Sequence, residues 1–519
     1  MSRDSITEYQ SEGTVSPAEE KFEQYRKLAG VILAPIAFAV VFWLCPGLTP
    51  EGRKLAAILA AVGVLWVTEV IPLPVTALLG AILCIMLGVA DAKKVFAYFA
   101  DPIVFVFIGG FMLAQAMSVH GLDRRIALSF LSLPRVGGST IGIIGGIGLV
   151  TALLSMWVSN TATTAMMLPI GLGILSALHR VRVASGAASG AMNARAWPAA
   201  TAMMLMIAYS ASIGGIGTPV GSPPNLIGIA MIRNATKVEI SFFQWMSLCF
   251  PLLLLMGAAL FVVLMATHRD PGARKLDGAE MMKFIRGERQ RLGPWSAGQR
   301  NALIAFLVAV TLWILPGILA LPWFSHLPAG KWMSKFMPEA VVAIAATVLL
   351  FMLPIRLSKA EFTLNWQQAA RIDWGTILLF GGGLALGSLM FDTGVAKAMG
   401  EGLTAKIGAS SLWMLTGVSI LLAIILSEAT SNTASANMVI PVVIAIAQSA
   451  GVDPLPPALG ACLGASYGFM LPVSTPPNAI VYGSGLVPIG RMMRAGILFD
   501  IIGFFIIWGG LRVMWPIIF

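Results

Sequence analysis

Charge is scarce in this 519-residue chain: Asp, Glu, Lys and Arg together make up 11% of it, against about 25% in soluble globular domains. Hydrophobic residues reach 57% and the mean hydropathy is +0.85, which excludes a hydrated surface around a dry core. No soluble domain can be separated out. Histidine and cysteine are equally sparse, at four each, and neither HExxH nor CxxC spacing occurs. That weighs against zinc hydrolysis, dithiol redox chemistry and a disulfide framework. Cys45, Cys84, Cys249 and Cys462 stand in apolar surroundings and read as small core hydrophobes. The glycine runs at Gly109 and Gly381 lack the Lys-Ser/Thr of a phosphate loop, so they read as close helix packing. The polar stretch Met1–Arg26 lacks the basic start and early apolar core of a signal peptide, and is expected to be a disordered cytosolic tail.

What is abundant is apolar sequence in runs long enough to cross a hydrocarbon core of roughly 30 Å. Their number predicts an all-α polytopic membrane protein with about 11 transmembrane helices and two re-entrant hairpins. The expected division is a cytosolic tail at 1–27, a first transmembrane helix at 28–53, a first repeat at 54–267, a basic cytosolic loop at 268–300 and a second repeat at 301–519. Each repeat holds a re-entrant hairpin, about 141–178 and about 411–448, and a broken helix, about 199–231 and about 459–482. A short amphipathic stretch from Asp123 to Leu133 is expected to lie at the interface. The net charge of +10 collects in connecting loops, above all in Arg269, Arg274, Lys275, Lys283, Arg286, Arg289, Arg291 and Arg300, against Asp270, Asp277, Glu280 and Glu288. This is a positive-inside pattern and not a nucleic-acid footprint. It places the N-terminus in the cytosol and the C-terminus outside.

One polar phrase is written twice. Ser155-Met156-Trp157-Val158-Ser159-Asn160-Thr161-Ala162 closes at Pro169, and Ser427-Glu428-Ala429-Thr430-Ser431-Asn432-Thr433-Ala434 closes at Pro441. Asp373, Ser431 and Pro441 each follow Asp101, Ser159 and Pro169 by 272 residues. Each half also breaks at prolines, in Gly217-Thr218-Pro219-Val220-Gly221-Ser222-Pro223-Pro224-Asn225 and in Leu471-Pro472-Val473-Ser474-Thr475-Pro476-Pro477-Asn478, 253 residues apart. A constant offset over several features indicates duplication. An odd number of spans between the units inverts the second, the plan expected of a secondary transporter.

Interrupted helices expose carbonyls at one end and amides at the other. With Ser, Thr and Asn oxygens the carbonyl ends suit a dehydrated hard cation, and the amide ends suit an anion. None of the four motifs contains Lys, Arg or His. A dianion held by neutral dipoles alone is costly to desolvate, so co-bound cations are expected. Glu428, beside the second phrase, is either a structural hydrogen-bonding group or a coupling site for a proton or cation. His120, at the end of a span, reads as structural.

These residues resemble the divalent anion:sodium symporters, carriers of di- and tricarboxylates or sulfate. The segment Ala465-Ser466-Tyr467-Gly468-Phe469-Met470-Leu471-Pro472-Val473-Ser474-Thr475-Pro476-Pro477-Asn478-Ala479-Ile480-Val481 looks like the family signature, and the duplicated Ser-Asn-Thr is nearly as telling. The resemblance implies a homodimer in which a transport domain slides past a scaffold, an elevator. It implies one sodium site at Ser155, Ser159, Asn160 and the carbonyl of Gly221, and a second at Ser427, Thr430, Asn432 and the carbonyl of Ser474. The anion would meet Asn160, Thr161, Ser222, Asn432, Thr433, Thr475 and Pro476. Sodium would be co-transported, with no organic cofactor. The expected activity is sodium-coupled symport of C4-dicarboxylates such as succinate, malate and fumarate across a bacterial inner membrane. Dicarboxylate or tricarboxylate exchange and sodium-sulfate symport are the alternatives, with a membrane-embedded enzyme a remote one.

Overall fold

The computed structural model describes residues 17–133, 136, 139–184, 197–269, 279–407 and 411–519. The expected tail before residue 17, residues 185–196, and Asp270, Arg274, Lys275 and Asp277 lie outside the described residues. Within them, eight helices are long and apolar enough to cross a membrane by length and composition. One bent pair, Pro328–Phe336 with Glu339–Met352 at 76°, would make a ninth, and Leu73–Met86, Thr140–Ser155 and Leu455–Gly464 are shorter apolar helices. Sheet structure among the described residues is one short hairpin pairing Pro354–Arg356 with Glu361–Phe362.

Three local expectations change. The first helix begins at Pro17 and runs to Leu44, so the segment taken as tail is helical from residue 17 onward. The basic loop contains the helix Ala279–Arg291, which buries Met281 and Ile285 while Lys283 and Arg286 stay exposed. Its Phe284 seats on Gly173, where an added Cβ would lie 2.3 Å from the ring, and Glu288 pairs with Arg124 at 2.8 Å. A helix that the sequence pattern does not announce, Val395–Ile407, is the counterpart in the second half of the helix Leu122–Leu131. Each is preceded by a glycine with positive φ, Gly121 at 63° and Gly394 at 77°, a conformation that a side chain disfavours.

The duplication reaches the capping groups. Asp101 accepts from Ile103 N to open Pro102–Val119, and Asp373 accepts from Thr376 N to open Trp374–Asp392. The glycine runs serve packing: a Cβ on Gly109 would lie 2.6 Å from the Ala343 backbone, and one on Gly382 would lie 2.8 Å from the Ala77 carbonyl. Both carboxylate oxygens of Asp101 also accept from Arg233 Nη2, at 2.7 and 2.6 Å. His120 Nε2 lies 2.6 Å from the Thr363 carbonyl, and Gln299 donates to the His120 carbonyl, which is a structural tie.

His268, just beyond the helix Phe242–Thr267, is buried, and its Nε2 has no hydrogen-bond partner among the described residues. Burial, with the charge of Arg491 behind it, pushes its pKa down to about 4. The folded protein therefore holds the ring neutral while the unfolded chain takes a proton near pH 6.5, so stability falls as pH drops from 6.5 towards 4. His268→Gln is expected to lose less of its thermal midpoint than the parent over that interval in detergent. Equal losses would remove His268 from the acid response.

Candidate functional site

Four interruptions come together. The first hairpin has arms Thr140–Ser155 and Asn160–Ala184, and the second has arms Leu412–Ala429 and Asn432–Ser449. The first broken helix consists of Pro198–Gly215 and Pro223–Thr236, the second of Leu455–Gly464 and Pro476–Tyr482. Within each half, the hairpin's first arm packs along the first piece of the broken helix. Across the halves the second pieces exchange: Asn160–Ala184 packs on Pro476–Tyr482, and Asn432–Ser449 packs on Pro223–Thr236. The cross-packing draws both halves into one site.

At the tips the two halves share one hydrogen-bond pattern. Ser155 Oγ donates to Asn160 Oδ1 at 2.8 Å, and Ser427 Oγ donates to Asn432 Oδ1 at 2.8 Å. Ser159 and Ser431 cap the second arms, accepting from Ala162 N at 3.3 Å and Ala434 N at 3.2 Å. Asn160 and Asn432 are thus the first residues of helices whose free amides point at the tip. Thr475 caps its helix by accepting from Asn478 N, whereas the side chain of Ser222 makes no capping bond.

The broken helices are held open by two asparagines that the sequence reading left off its site. Asn225 Nδ2 donates to the carbonyls of Gly215 and Thr218, at 2.7 and 2.8 Å. Asn478 Nδ2 donates to those of Gly468 and Leu471, both at 3.0 Å. All three positions in each clamp correspond at the 253-residue offset. Both asparagines are fully buried, and the Oδ1 of each has no partner among the described residues. An unmatched buried acceptor costs about 1–3 kcal/mol, and here it occurs at the same position in both halves.

Hairpin and break meet at glycines. A Cβ on Gly221 would lie 2.6 Å from Gly215 O, 2.8 Å from Met156 O and 3.1 Å from Ser155 O. Three carbonyl oxygens therefore converge where the first cation is expected. In the second half, a Cβ on Gly468 would lie 3.0 Å from Ser427 O and 3.2 Å from Ser427 Oγ. On the first side Thr218 Oγ1 donates to the Met156 carbonyl. On the second side Glu428 does the joining: its Oε1 accepts from Phe469 N at 2.6 Å and Met470 N at 2.8 Å, and its Oε2 accepts from Ser474 Oγ at 2.6 Å. With three donors aimed at it, this carboxylate clasps the hairpin to the unwound segment, in keeping with its structural reading.

Burial sorts the expected residues into two layers. Ser155, Gly221, Ser427, Thr430 and Ser474 are buried, while Ser159 and Asn160 are half-buried. Thr161 and Pro476 are exposed, and Asn432 and Thr433 are half-buried. Ser222 and Thr475, expected to meet the anion, are buried, at 2% and 4% exposure. Thr430 departs from the pattern of its neighbours by donating its hydroxyl to the Trp66 carbonyl at 2.9 Å, across to the first repeat.

Comparison with known proteins identifies the family. Residues 26–519 match the family described as the sodium:sulfate symporter transmembrane region. The sodium-dependent dicarboxylate transporter SdcS of Staphylococcus saprophyticus is 32% identical over 492 residues, which cover 94% of this chain and 91% of that protein. SdcS of Staphylococcus aureus is 32% identical over 494 residues, 93% and 90% of the two chains. An uncharacterized transporter of Haemophilus influenzae is 35% identical, with 91% and 93% covered. Among solved structures, the YdaH transporter of Alcanivorax borkumensis superposes with a TM-score of 0.51 at 14% identity over 82% of this chain and 88% of its own. MtrF of Neisseria gonorrhoeae gives 0.52 at 13% identity over 92% and 97%. At such identities the likeness is one of fold alone. With a family match over nearly its whole length and relatives above 30% identity, the chain belongs to the sodium:sulfate symporter family, the divalent anion:sodium symporters.

Proposed function

We propose that this protein is a sodium-coupled symporter of C4-dicarboxylates in a bacterial cytoplasmic membrane. The observation that carries the reading is the two-layer site: in each half, buried carbonyl and hydroxyl oxygens adjoin a helix N-terminus whose first residues, Asn160-Thr161 and Asn432-Thr433, are less buried. Dehydrated sodium ions occupy the oxygen-lined layer, through Ser155, Ser159, Asn160 and Gly221 on one side and Ser427, Thr430, Asn432 and Ser474 on the other. Their charge compensates the dianion, which meets Asn160, Thr161, Ser222, Asn432, Thr433, Thr475 and Pro476. No Lys, Arg or His lies within the four motifs to do this instead, so anion and cations bind together. The names of the staphylococcal relatives support dicarboxylate as the cargo. The protein works as a homodimer, moving the site by an elevator step between a cytosolic side that holds the N-terminus and an external side that holds the C-terminus.

The test is uptake of radiolabelled succinate into proteoliposomes with an inward sodium gradient, with potassium or choline in its place, and with or without succinate inside. Sodium-driven accumulation into empty vesicles is expected. Uptake that ignores sodium and requires internal succinate would establish exchange instead, and sodium-driven uptake of sulfate or citrate but not succinate would reassign the anion. Asn160→Ala and Asn432→Ala are each expected to lower uptake at least 100-fold with the protein folded. Unchanged uptake in either would defeat a site shared between the halves.

A further inference from the structure

Between the helices Ala297–Leu319 and Glu339–Met352 the chain makes a turn, where Phe324 N donates to Leu321 O and Leu327 N to Phe324 O, and then a nine-residue helix, Pro328–Phe336. From Ala320 to Pro338 the sequence contains no Asp or Glu, but it carries His326, Lys331 and Lys335 together with Trp323, Phe324, Trp332 and Phe336. The connection lies one span away from the basic helix Ala279–Arg291. Its lysines therefore fall on the membrane side opposite the charge that sets topology, and need another reason.

The helix is bent by 76° from Glu339–Met352. With that neighbour along the membrane normal it lies nearly flat, and at about 14 Å it is too short to cross. Its side chains fall into three groups. Gly330 and Met333 are buried, and a Cβ on Gly330 would lie 3.0 Å from Leu319 Cβ. Trp332 and Phe336, one turn apart, are both 55% exposed with their rings 5.7 Å from each other, and Trp323 in the turn is 83% exposed. Lys331 and Lys335 lie about 100° round the helix from that aromatic pair, exposed and without an ion pair among the described residues. Water alone would leave the aromatic side unmatched, and an apolar surface alone would leave the lysines unmatched. A bilayer surface matches both, with acyl boundary beside the rings and headgroups beside the ammonium groups.

We propose that Leu321–Phe336 is a docking surface for anionic phospholipid, with Trp323, Trp332 and Phe336 in the acyl boundary and Lys331 and Lys335 on the lipid phosphates. The bound lipid steadies the end of Ala297–Leu319, and that helix reaches the first hairpin: its Phe306 stands edge-on to Trp157, 5.2 Å away, at the tip between Ser155 and Ser159.

The experiment places the full chain in phosphatidylethanolamine vesicles containing equal amounts of phosphatidylglycerol and phosphatidylcholine, one of which carries a diazirine near the top of its acyl chain, and maps adducts after photolysis. Near an anionic surface a lysine contributes about fivefold in affinity, so the phosphatidylglycerol probe is expected to label Trp323, Trp332 and Phe336 at least fivefold more than the phosphatidylcholine probe. Ile501 and Phe505, exposed on the last helix, should label alike from both, which reports an intact fold. Lys331→Gln with Lys335→Gln should bring the two probes level at the three aromatic residues, and Lys331→Glu with Lys335→Glu should reverse their order. Equal labelling by both probes in the parent overturns the anionic site, and a preference that survives both pairs of substitutions takes it away from these lysines. Cross-links between the lysines of two copies, with no lipid adducts, would overturn it in favour of a second protomer covering the helix.

Discussion

Gly221→Ala is expected to raise the sodium concentration needed for half-maximal uptake at least tenfold, although it adds a single methyl group. That methyl would sit 2.6, 2.8 and 3.1 Å from the carbonyl oxygens of Gly215, Met156 and Ser155. All three are backbone atoms, fixed by the Asn225 clamp and by the bond from Thr218 to Met156. None can withdraw without parting the hairpin from the break. Overpacking of this kind costs about 1–3 kcal/mol, and every 1.4 kcal/mol is about tenfold in an affinity. The other half supplies the control, because the position 253 residues on is Ser474, which already carries a side chain and turns it to Glu428. Sodium titration of uptake, with thermal unfolding as the check on folding, decides the matter. A sodium dependence like that of the parent would mean that the converging carbonyls are not a cation site.

The duplication was legible because polar groups in apolar sequence have to be satisfied internally, which makes Ser159-Asn160-Thr161 and Ser431-Asn432-Thr433 stand out without any structure. The hairpins follow from them, and the structure interrupts its helices just before Asn160 and Asn432. Asn225 and Asn478 were equally visible but were read only as part of a helix break, since which carbonyls an amide clamps is a fact of three dimensions. Their matched offsets were the available signal. Val395–Ile407 was missed because its Gly, Lys and Glu interrupt any apolar run, although its counterpart Leu122–Leu131, with a clear amphipathic pattern, was found. Glu428 was the instructive intermediate: its intramembrane position marked it, but only the amides of Phe469 and Met470 reveal what it holds.

Asn225→Ala and Asn478→Ala are each expected to reduce sodium-driven uptake at least 50-fold, an effect comparable to loss of the tip asparagines, while being distinguishable from it. Truncation removes two hydrogen bonds from carbonyls of an unwound segment, and buried acceptors left unpaired cost about 1–3 kcal/mol apiece. The unwound segment then relaxes, and the layer behind the tip loses its fixed oxygens before the anion-facing layer is touched. The consequence is a split: raising external sodium should restore a substantial part of the lost uptake in Asn225→Ala and Asn478→Ala, but not in Asn160→Ala or Asn432→Ala, whose side chains stand at both layers. The clamp variants also separate the halves. If each clamp organises one cation site, either single variant should lower the steepness of the sodium dependence, and the double variant should abolish it. Clamp variants that bind sodium normally but lose affinity for succinate would assign Asn225 and Asn478 to the anion, and the unpartnered Oδ1 atoms would then mark the substrate's place and not sodium's.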